Sequence, residues 1–333
     1  MGMGFYRDIA LDLGTATVQG AAKGQGVVLQ EPNLAAADRQ TGQLLAVGKA
    51  AREMLDRTPG ALTARYPMAG GVIADGSLTT EILRIFLKQV LGKGLGKIRL
   101  LLAVPTGISP VEERALIEAG LQAGAGTIYL MEAPLAAALG AGLEVESPQG
   151  QLVVNLGAGV TDGAVLALGR VMASVCTTAA GNRLEEALIQ AVRRDHHLVL
   201  GRRTAREVKH TMDRTPMTVK GRCLTTGLPR EGELTPEEVK RAFQPVLEEI
   251  LTALRDLLEQ TPPELVEDVK ETGILLTGGG SLLPGLAETI GAATGIPTTV
   301  APDPELCVIR GLEATLPHLS KRKDGPLDLA RGR

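Results

Sequence analysis

One plan occurs twice in this chain, and it narrows the choice of folds more than any other feature. Residues 150–165, GQLVVNLGAGVTDGAV, read as an apolar strand (Leu152, Val153, Val154), a tight turn of small residues and a return strand. Residues 8–19, DIALDLGTATVQ, repeat the plan: an apolar strand, a turn through Asp12, Leu13, Gly14, Thr15, Ala16 and Thr17, and a return strand. The two lie about 140 residues apart, so the chain reads as two similar halves facing one ligand. In the later turn Gly157, Ala158 and Gly159 carry almost no side chain, which lets backbone N–H groups approach an anion closely. Thr161 adds a hydroxyl and Asp162 a carboxylate. Taken alone, such a turn reads equally well as an ordinary glycine-rich hairpin. A third small-residue turn, LTGGGSLL at 276–283, follows an apolar strand and precedes a helical pattern, and free N–H groups at a helix start favour anions. Three such turns point to a polyphosphate held in a cleft between two lobes.

Bulk properties exclude several alternatives. At 333 residues and 44% hydrophobic, the chain has material for two domains with substantial cores. A net charge of -3 gives no global field to recruit nucleic acid. Aromatics at 2% and the absence of Trp remove the stacking platforms of a single-strand binder. Cys176, Cys223 and Cys307 are scattered, with no CxxC or Cys/His spacing, and read as free thiols in a reducing cytosol. The stretch MGMGFYRDIA holds no apolar core long enough for a signal peptide, and no run approaches the roughly 20 apolar residues of a membrane span. The expected location is cytosolic, with surface attachment to a membrane left open.

Along the chain, strands alternate with helices in the α/β manner, and the strand–turn–strand openings make the sheets mixed. Helices are expected at Lys49–Leu55 and Leu78–Leu91, separated by a loop at 66–76. Ile98–Val104 is an unbroken apolar strand of the kind buried on both faces. Ser109-Pro110-Val111-Glu112 is a capping box with Pro at the first helical position. Thr127–Met131 is a strand, and an alanine-rich helix starts at Glu132-Ala133-Pro134. Beyond the central turn come a strand at Arg170–Cys176, a helical face with Leu184, Leu188 and Val192, and a helix at Thr204–Met212. Residues 213–234 read as irregular with a hairpin at 217–224. Thr235-Pro236-Glu237-Glu238, a second capping box, opens a helix of about 25 residues. Gly273–Thr277 and Ile296–Ala301 are strands flanking a helix at Leu283–Thr294. The polar, basic stretch from Ser320 is expected to be disordered.

These residues resemble the actin-like ATPase superfamily, specifically the bacterial actin MreB and its Mbl-type paralogues. The likeness runs over about residues 8–316. It is carried by DLGTAT (12–17), PMAGGVIADG (67–76), VPTGISPVEERALIEAGLQAGA (104–125), APLAAALGAGL (133–143) and GQLVVNLGAGVTDGAVLALG (150–169). GRRTAREVK (201–209), GRCLTTGLP (221–229), TPPEL (261–265) and LTGGGSLLPGL (276–286) continue it. The resemblance implies duplicated α/β lobes with five-stranded mixed sheets, at 8–145 and 146–316, bearing small inserts at about 32–75 and 182–250. It implies ATP (or GTP) with Mg²⁺ between the lobes. By resemblance, the first phosphate loop is Asp12, Gly14, Thr15, Ala16 and Thr17, with Asp12 holding Mg²⁺ through water. The second is Gly157, Ala158, Gly159, Val160 and Thr161. Arg206, Glu207 and Lys209 fall where the family contacts adenosine, and Gly278, Gly279, Gly280, Ser281 and Leu282 form the adenosine loop. There is no GxxxxGK[ST], so this is not a Walker-type site, and Asp162 spoils a GxGxxG reading.

The departures from the family fall on the chemistry. Where the family's second loop resembles D-I-G-G-G-T-T-E, this chain has N-L-G-A-G-V-T-D, in which Asn155 replaces a carboxylate, Ala158 a glycine and Val160 a threonine. Where the family has Glu-Glu-Pro, this chain has Glu132-Ala133-Pro134, and Ala133 cannot orient water. Weak or absent hydrolysis is expected, with Glu132 as a substitute candidate. The resemblance further implies head-to-tail self-assembly into filaments, no nucleic-acid partner, and peripheral placement on the inner face of the cell membrane. It also implies wall-elongation partners such as RodZ, MreC and MreD, and maintenance of rod shape. The apolar residues available for membrane insertion, Met1, Met3, Phe5, Tyr6 and Leu95, are few. Two alternatives stay open from the residues: an active ATPase or small-molecule kinase of the same fold, and a non-polymerising regulator that binds a true family member.

Overall fold

The computed structural model describes residues 6–58, 60–92, 96–213, 216–321 and 325–326. The first sheet starts as an antiparallel meander of β1 (Tyr6–Leu13), β2 (Thr17–Ala22) and β3 (Gly26–Pro32). Its register sets Asp12 opposite Gln19 and Gln19 opposite Gln30. A small insert follows: β4 (Ala35–Asp38), β5 (Leu44–Val47), α1 (Gly48–Arg57) and β6 (Leu62–Arg65). It closes on its own core of Leu34, Ala36, Ala51 and Leu62. The stretch read as a loop at 66–76 is instead a miniature hairpin, β7 (Met68–Ala69) and β8 (Val72–Ile73). Gly70 and Gly71 turn it with φ of 56° and 79°, the left-handed pair that a tight two-residue hairpin requires.

α2 (Gly76–Leu91) begins at Asp75, whose carboxylate accepts from the Leu78 N–H at 3.0 Å. Ile82, Leu83 and Phe86 face its sheet and are fully buried. β9 (Lys97–Val104) lies parallel to β1, with Leu100, Leu101 and Leu102 wholly covered. The Ser109/Glu112 capping box forms in both directions and starts α3 (Pro110–Gln122). β10 (Thr127–Glu132) passes without a loop into α4 (Ala133–Gly140).

The second sheet opens with β11 (Gln151–Leu156), β12 (Thr161–Ala167) and β13 (Arg170–Thr177), all antiparallel. There follow α5 (Gly181–Asp195), β14 (Leu198–Val199), α6 (Arg202–His210), β15 (Met217–Cys223) and β16 (Pro229–Leu234). The hairpin expected at 217–224 is therefore longer. β15 and β16 pair from Met217–Leu234 to Arg222–Pro229. The return strand PREGEL is mostly solvent-exposed and so lacks the apolar alternation that announces a strand. α7 (Pro236–Gln260) starts at the Thr235/Glu238 capping box. α8 (Pro263–Thr272), β17 (Ile274–Thr277), α9 (Leu286–Thr294), β18 (Thr298–Val300) and α10 (Cys307–Thr315) complete this half.

The strand orders are β10-β9-β1-β2-β3 and β13-β12-β11-β17-β18, and a two-residue strand at Gly325–Pro326, β19, adds a sixth position beside β10. Both sheets are mixed. Between them lie α4 and α10, whose backbones touch. A methyl group on Gly140 would sit 1.8 Å from the Cys307 carbonyl oxygen, and one on Gly311 1.8 Å from that of Ala136. Only glycine allows this approach. The core around this contact draws Ala10 and Leu101 from the first sheet, Val153 and Leu166 from the second, and Ile309 and Leu312 from α10. The tail expectation for 320–333 falls for the most part outside the described residues, as does that for Lys93–Leu95 and the first five residues.

Candidate functional site

The two small-residue turns face each other across a cleft of about 270 Å³ between the sheets. The first turn is stapled from below by Asn33, whose N–H donates to the Ala16 carbonyl at 2.9 Å and whose Nδ2 donates to that of Gly14 at 2.7 Å. The second turn is tightened by the Gly157 N–H donating to the Val160 carbonyl at 2.8 Å. It is tied to the start of α5 by the Asn182 N–H, which donates to Ala158 at 2.8 Å. Thr15 is the meeting point. Its Oγ1 accepts from the Gly71 N–H at 3.1 Å, and a methyl group on Gly159 would lie 2.1 Å from that same oxygen. The β7–β8 hairpin thus packs on both turns, with Gly71 against Val160 and Pro105.

The cleft brings together most of the residues singled out from sequence. Asp12, Gly14, Thr15, Ala16 and Thr17 line one wall, and Gly157, Ala158, Gly159 and Val160 the other. Arg206 and Lys209 of α6 and Gly278, Gly279 and Gly280 close one end. Others stand back from it. Thr161 is buried, and its hydroxyl donates to the Ala179 carbonyl at 2.7 Å. Glu207 points outward and pairs with Arg203 at 3.1 Å. Ser281 is buried and donates to Gly278 at 2.7 Å, shaping the turn from behind, while Leu282 is exposed outside the cleft. Glu132 is the residue just before α4 and does not line the cavity; Ala133 does, with a methyl group alone.

Several lining residues carry no sequence signal of their own. Gln19 and Gln30 enter through strand register with Asp12. Glu185 of α5 is 1% exposed and holds Arg206 at 2.9 Å and Lys209 at 2.8 Å. Burial alone would push the Glu185 carboxyl up, but the Arg206 and Lys209 contacts outweigh it and hold it below the usual range. Burial, then the neighbouring Lys209 charge, pulls His210 down. Asp12, at the end of β1, is lifted by burial to about 6.

Asp162 joins the halves. It is fully buried and accepts from the Thr106 N–H at 2.9 Å and from the Thr106 hydroxyl. Burial lifts it to about 7, against the pull of those hydrogen bonds and helped by the nearby Glu132 charge. Glu132 is itself raised by burial. Asn155 stands opposite Asp162 in register, and its Oδ1 accepts weakly from the Thr277 hydroxyl at 3.3 Å. Of the carboxylates that line the cleft, Asp12 and Asp162 favour protonation more than a free aspartate does, whereas Glu185, paired with Arg206 and Lys209, stays ionised more readily. No group of three acidic, His or Cys side chains among the described residues could enclose a bare metal ion. The donor set suits a hydrated cation brought in by a phosphate ligand.

A protein-family model described as MreB/Mbl protein matches residues 6–324. The cell shape-determining protein Mbl of Bacillus subtilis (strain 168) is 38% identical over 325 residues, covering 95% of this chain and 98% of that protein. The cell shape-determining protein MreB of Escherichia coli (strain K12) is 41% identical over 320 residues, 92% of each. Among solved structures, MreB5 of Spiroplasma citri bound to ADP superposes with a TM-score of 0.89 at 34% identity, covering 95% of this chain and 98% of its own. The same protein bound to AMPPNP gives 0.88 at 33% identity, covering 95% and 97%. The fold is actin-like, and the chain belongs to the MreB/Mbl family.

Proposed function

We propose that this chain binds ATP with Mg²⁺ in the cleft, between a lobe of residues 8–145 and one of 146–316, and assembles head to tail into filaments. These lie on the inner face of the cell membrane and keep a rod-shaped cell in form by guiding wall synthesis. The observation that carries the reading is the meeting of two small-residue turns at Thr15 and Gly159, in a chain whose relatives bear the name cell shape-determining protein. The ADP- and AMPPNP-bound states of Spiroplasma MreB5 support the nucleotide.

In this reading the backbone amides of 14–17 and 157–160 receive the phosphates. Asp12 faces the cation's water, and Arg206, Lys209 and the Gly278–Gly280 turn receive the nucleoside. Hydrolysis is slow. Attack by water on a phosphate needs a group that orients the water and takes its proton, and Ala133 and Asn155 have no such group. Filaments form because an open head-to-tail contact propagates. Among the described residues no helix is long and apolar enough to cross a membrane, so attachment is peripheral and gains strength from polymer avidity. RodZ, MreC and MreD are the partner class that goes with this role.

The test is phosphate release by purified protein with ATP and Mg²⁺, with pelleting of the same sample. Polymer without phosphate release is the expected result. Release at the pace of an ordinary ATPase would overturn the hydrolysis-deficient reading, and no pellet at any nucleotide or protein concentration would overturn self-assembly.

A further inference from the structure

We propose that Gln19, flanked by Asp12 and Gln30, holds the water shell of the divalent cation that accompanies the nucleotide. This rests on the nucleotide-cleft reading above. The three side chains are cross-strand partners, Asp12 opposite Gln19 and Gln19 opposite Gln30, so they share one face of the β1–β3 meander. All three line the cleft.

Gln19 is the informative member. It is 3% exposed, between fully buried Val18 and a Gly20 packed on Leu11 and Val90. An interior strand position of this kind favours an apolar residue. A buried amide there needs a hydrogen-bond partner, yet Gln19 Oε1 has none.

An orphaned acceptor calls for a donor. A triphosphate presents only acceptor oxygens, and the nucleoside's donors belong at the α6 end of the cleft. The donor available near the first turn is a water bound to the cation, polarised by it and held outward toward the protein. Magnesium keeps several of its waters and is bound through them, and the wall provides one carboxylate and two neutral amides, enough for hydrogen bonds to that shell and too little charge for direct ligation. Gln19 is on this account a positioning residue: it acts on the metal through water.

The experiment is a titration of Mg²⁺ into the full-length protein with N-methylanthraniloyl-ATP as probe, read as nucleotide affinity from EDTA to saturating metal. Gln19→Leu removes both polar atoms at similar volume. It should raise the Mg²⁺ midpoint about tenfold, a 1.4 kcal/mol change, with affinity in EDTA unchanged. Gln19→Glu keeps the shape, adds charge and should lower the midpoint. An unchanged midpoint in either variant overturns the inference. So does an equal loss of affinity in EDTA, which would mean the amide touches the nucleotide itself. Failure of the unmodified protein to bind the probe at any Mg²⁺ concentration would instead overturn the nucleotide-cleft reading.

Discussion

Replacing Asp162 with asparagine should stabilise the nucleotide-free protein, and more so at alkaline pH. The carboxyl is fully buried and raised from its ordinary 3.8 to about 7. A carboxyl raised in this way binds a proton more tightly in the folded state than in the unfolded one. Its stabilising contribution is complete below pH 3.8 and is lost as pH climbs through 7. With these two values the loss is about 4 kcal/mol when ionisation is complete and about 2.5 kcal/mol between pH 5 and pH 8. Asparagine has nearly the same shape. Its Oδ1 can accept from the Thr106 N–H and its Nδ2 can donate to the Thr106 hydroxyl, so both cross-sheet hydrogen bonds survive. The assay is urea unfolding of the parent protein and Asp162→Asn at pH 5 and pH 8, without nucleotide. Taking the difference between the proteins at each pH removes the other titrating groups, Asp12 among them. The advantage of the variant should grow by about 2.5 kcal/mol from pH 5 to pH 8. An advantage that is independent of pH, or a variant that loses stability at pH 8, refutes the reasoning.

Three further outcomes follow from geometry already given. Gly159→Val puts side-chain atoms into Thr15 Oγ1, where even the first carbon would be 2.1 Å away; ATP·Mg²⁺ affinity by calorimetry should fall at least about tenfold, roughly 1.4 kcal/mol. Gly140→Ala forces α4 off α10 and should cost about 1–3 kcal/mol in urea unfolding, whereas Gly76→Ala, which meets nothing within 4 Å, serves as the neutral comparison. Glu185→Leu leaves Lys209 and Arg206 without their buried partner and should cost roughly 3–5 kcal/mol. Because Glu185 is held below its ordinary 4.5, its contribution is present above that pH and disappears on acidification. The destabilisation by Glu185→Leu should therefore shrink in acid unfolding profiles.

What could be read from the sequence was what is local. The two turns declare themselves because small residues flanked by apolar strands are a short-range pattern, and the capping boxes at Ser109 and Thr235 form as their spacing requires. Features that depend on register or on another part of the chain were not legible. Gln19 reads as an ordinary strand residue until β1, β2 and β3 are aligned. Glu185 reads as a helix surface charge until α6 packs beside α5. Thr106 and Asp162 are 56 residues apart, and nothing near either announces the other. α10 has no local signature, because Leu306 gives it no side-chain cap and Gly311 interrupts its composition, although that glycine is what the α4 contact demands.

The close contact of α4 with α10 also sets an order of assembly on the ribosome. The first sheet is complete in its principal strands once Glu132 has been made, but the core that covers one of its faces is closed by Cys307, Ile309, Leu312, Leu316 and Leu319. Until those residues emerge, Ala10, Leu101 and Met131 have only part of their cover on that side, from α4 residues such as Leu135 and Ala136. The early half of the chain must therefore wait, partly unsealed, through the synthesis of the whole later half. A chain cut short before Cys307 would keep both nucleotide-facing turns and lose the seal behind them, making it a client for chaperones and proteases rather than a smaller working protein.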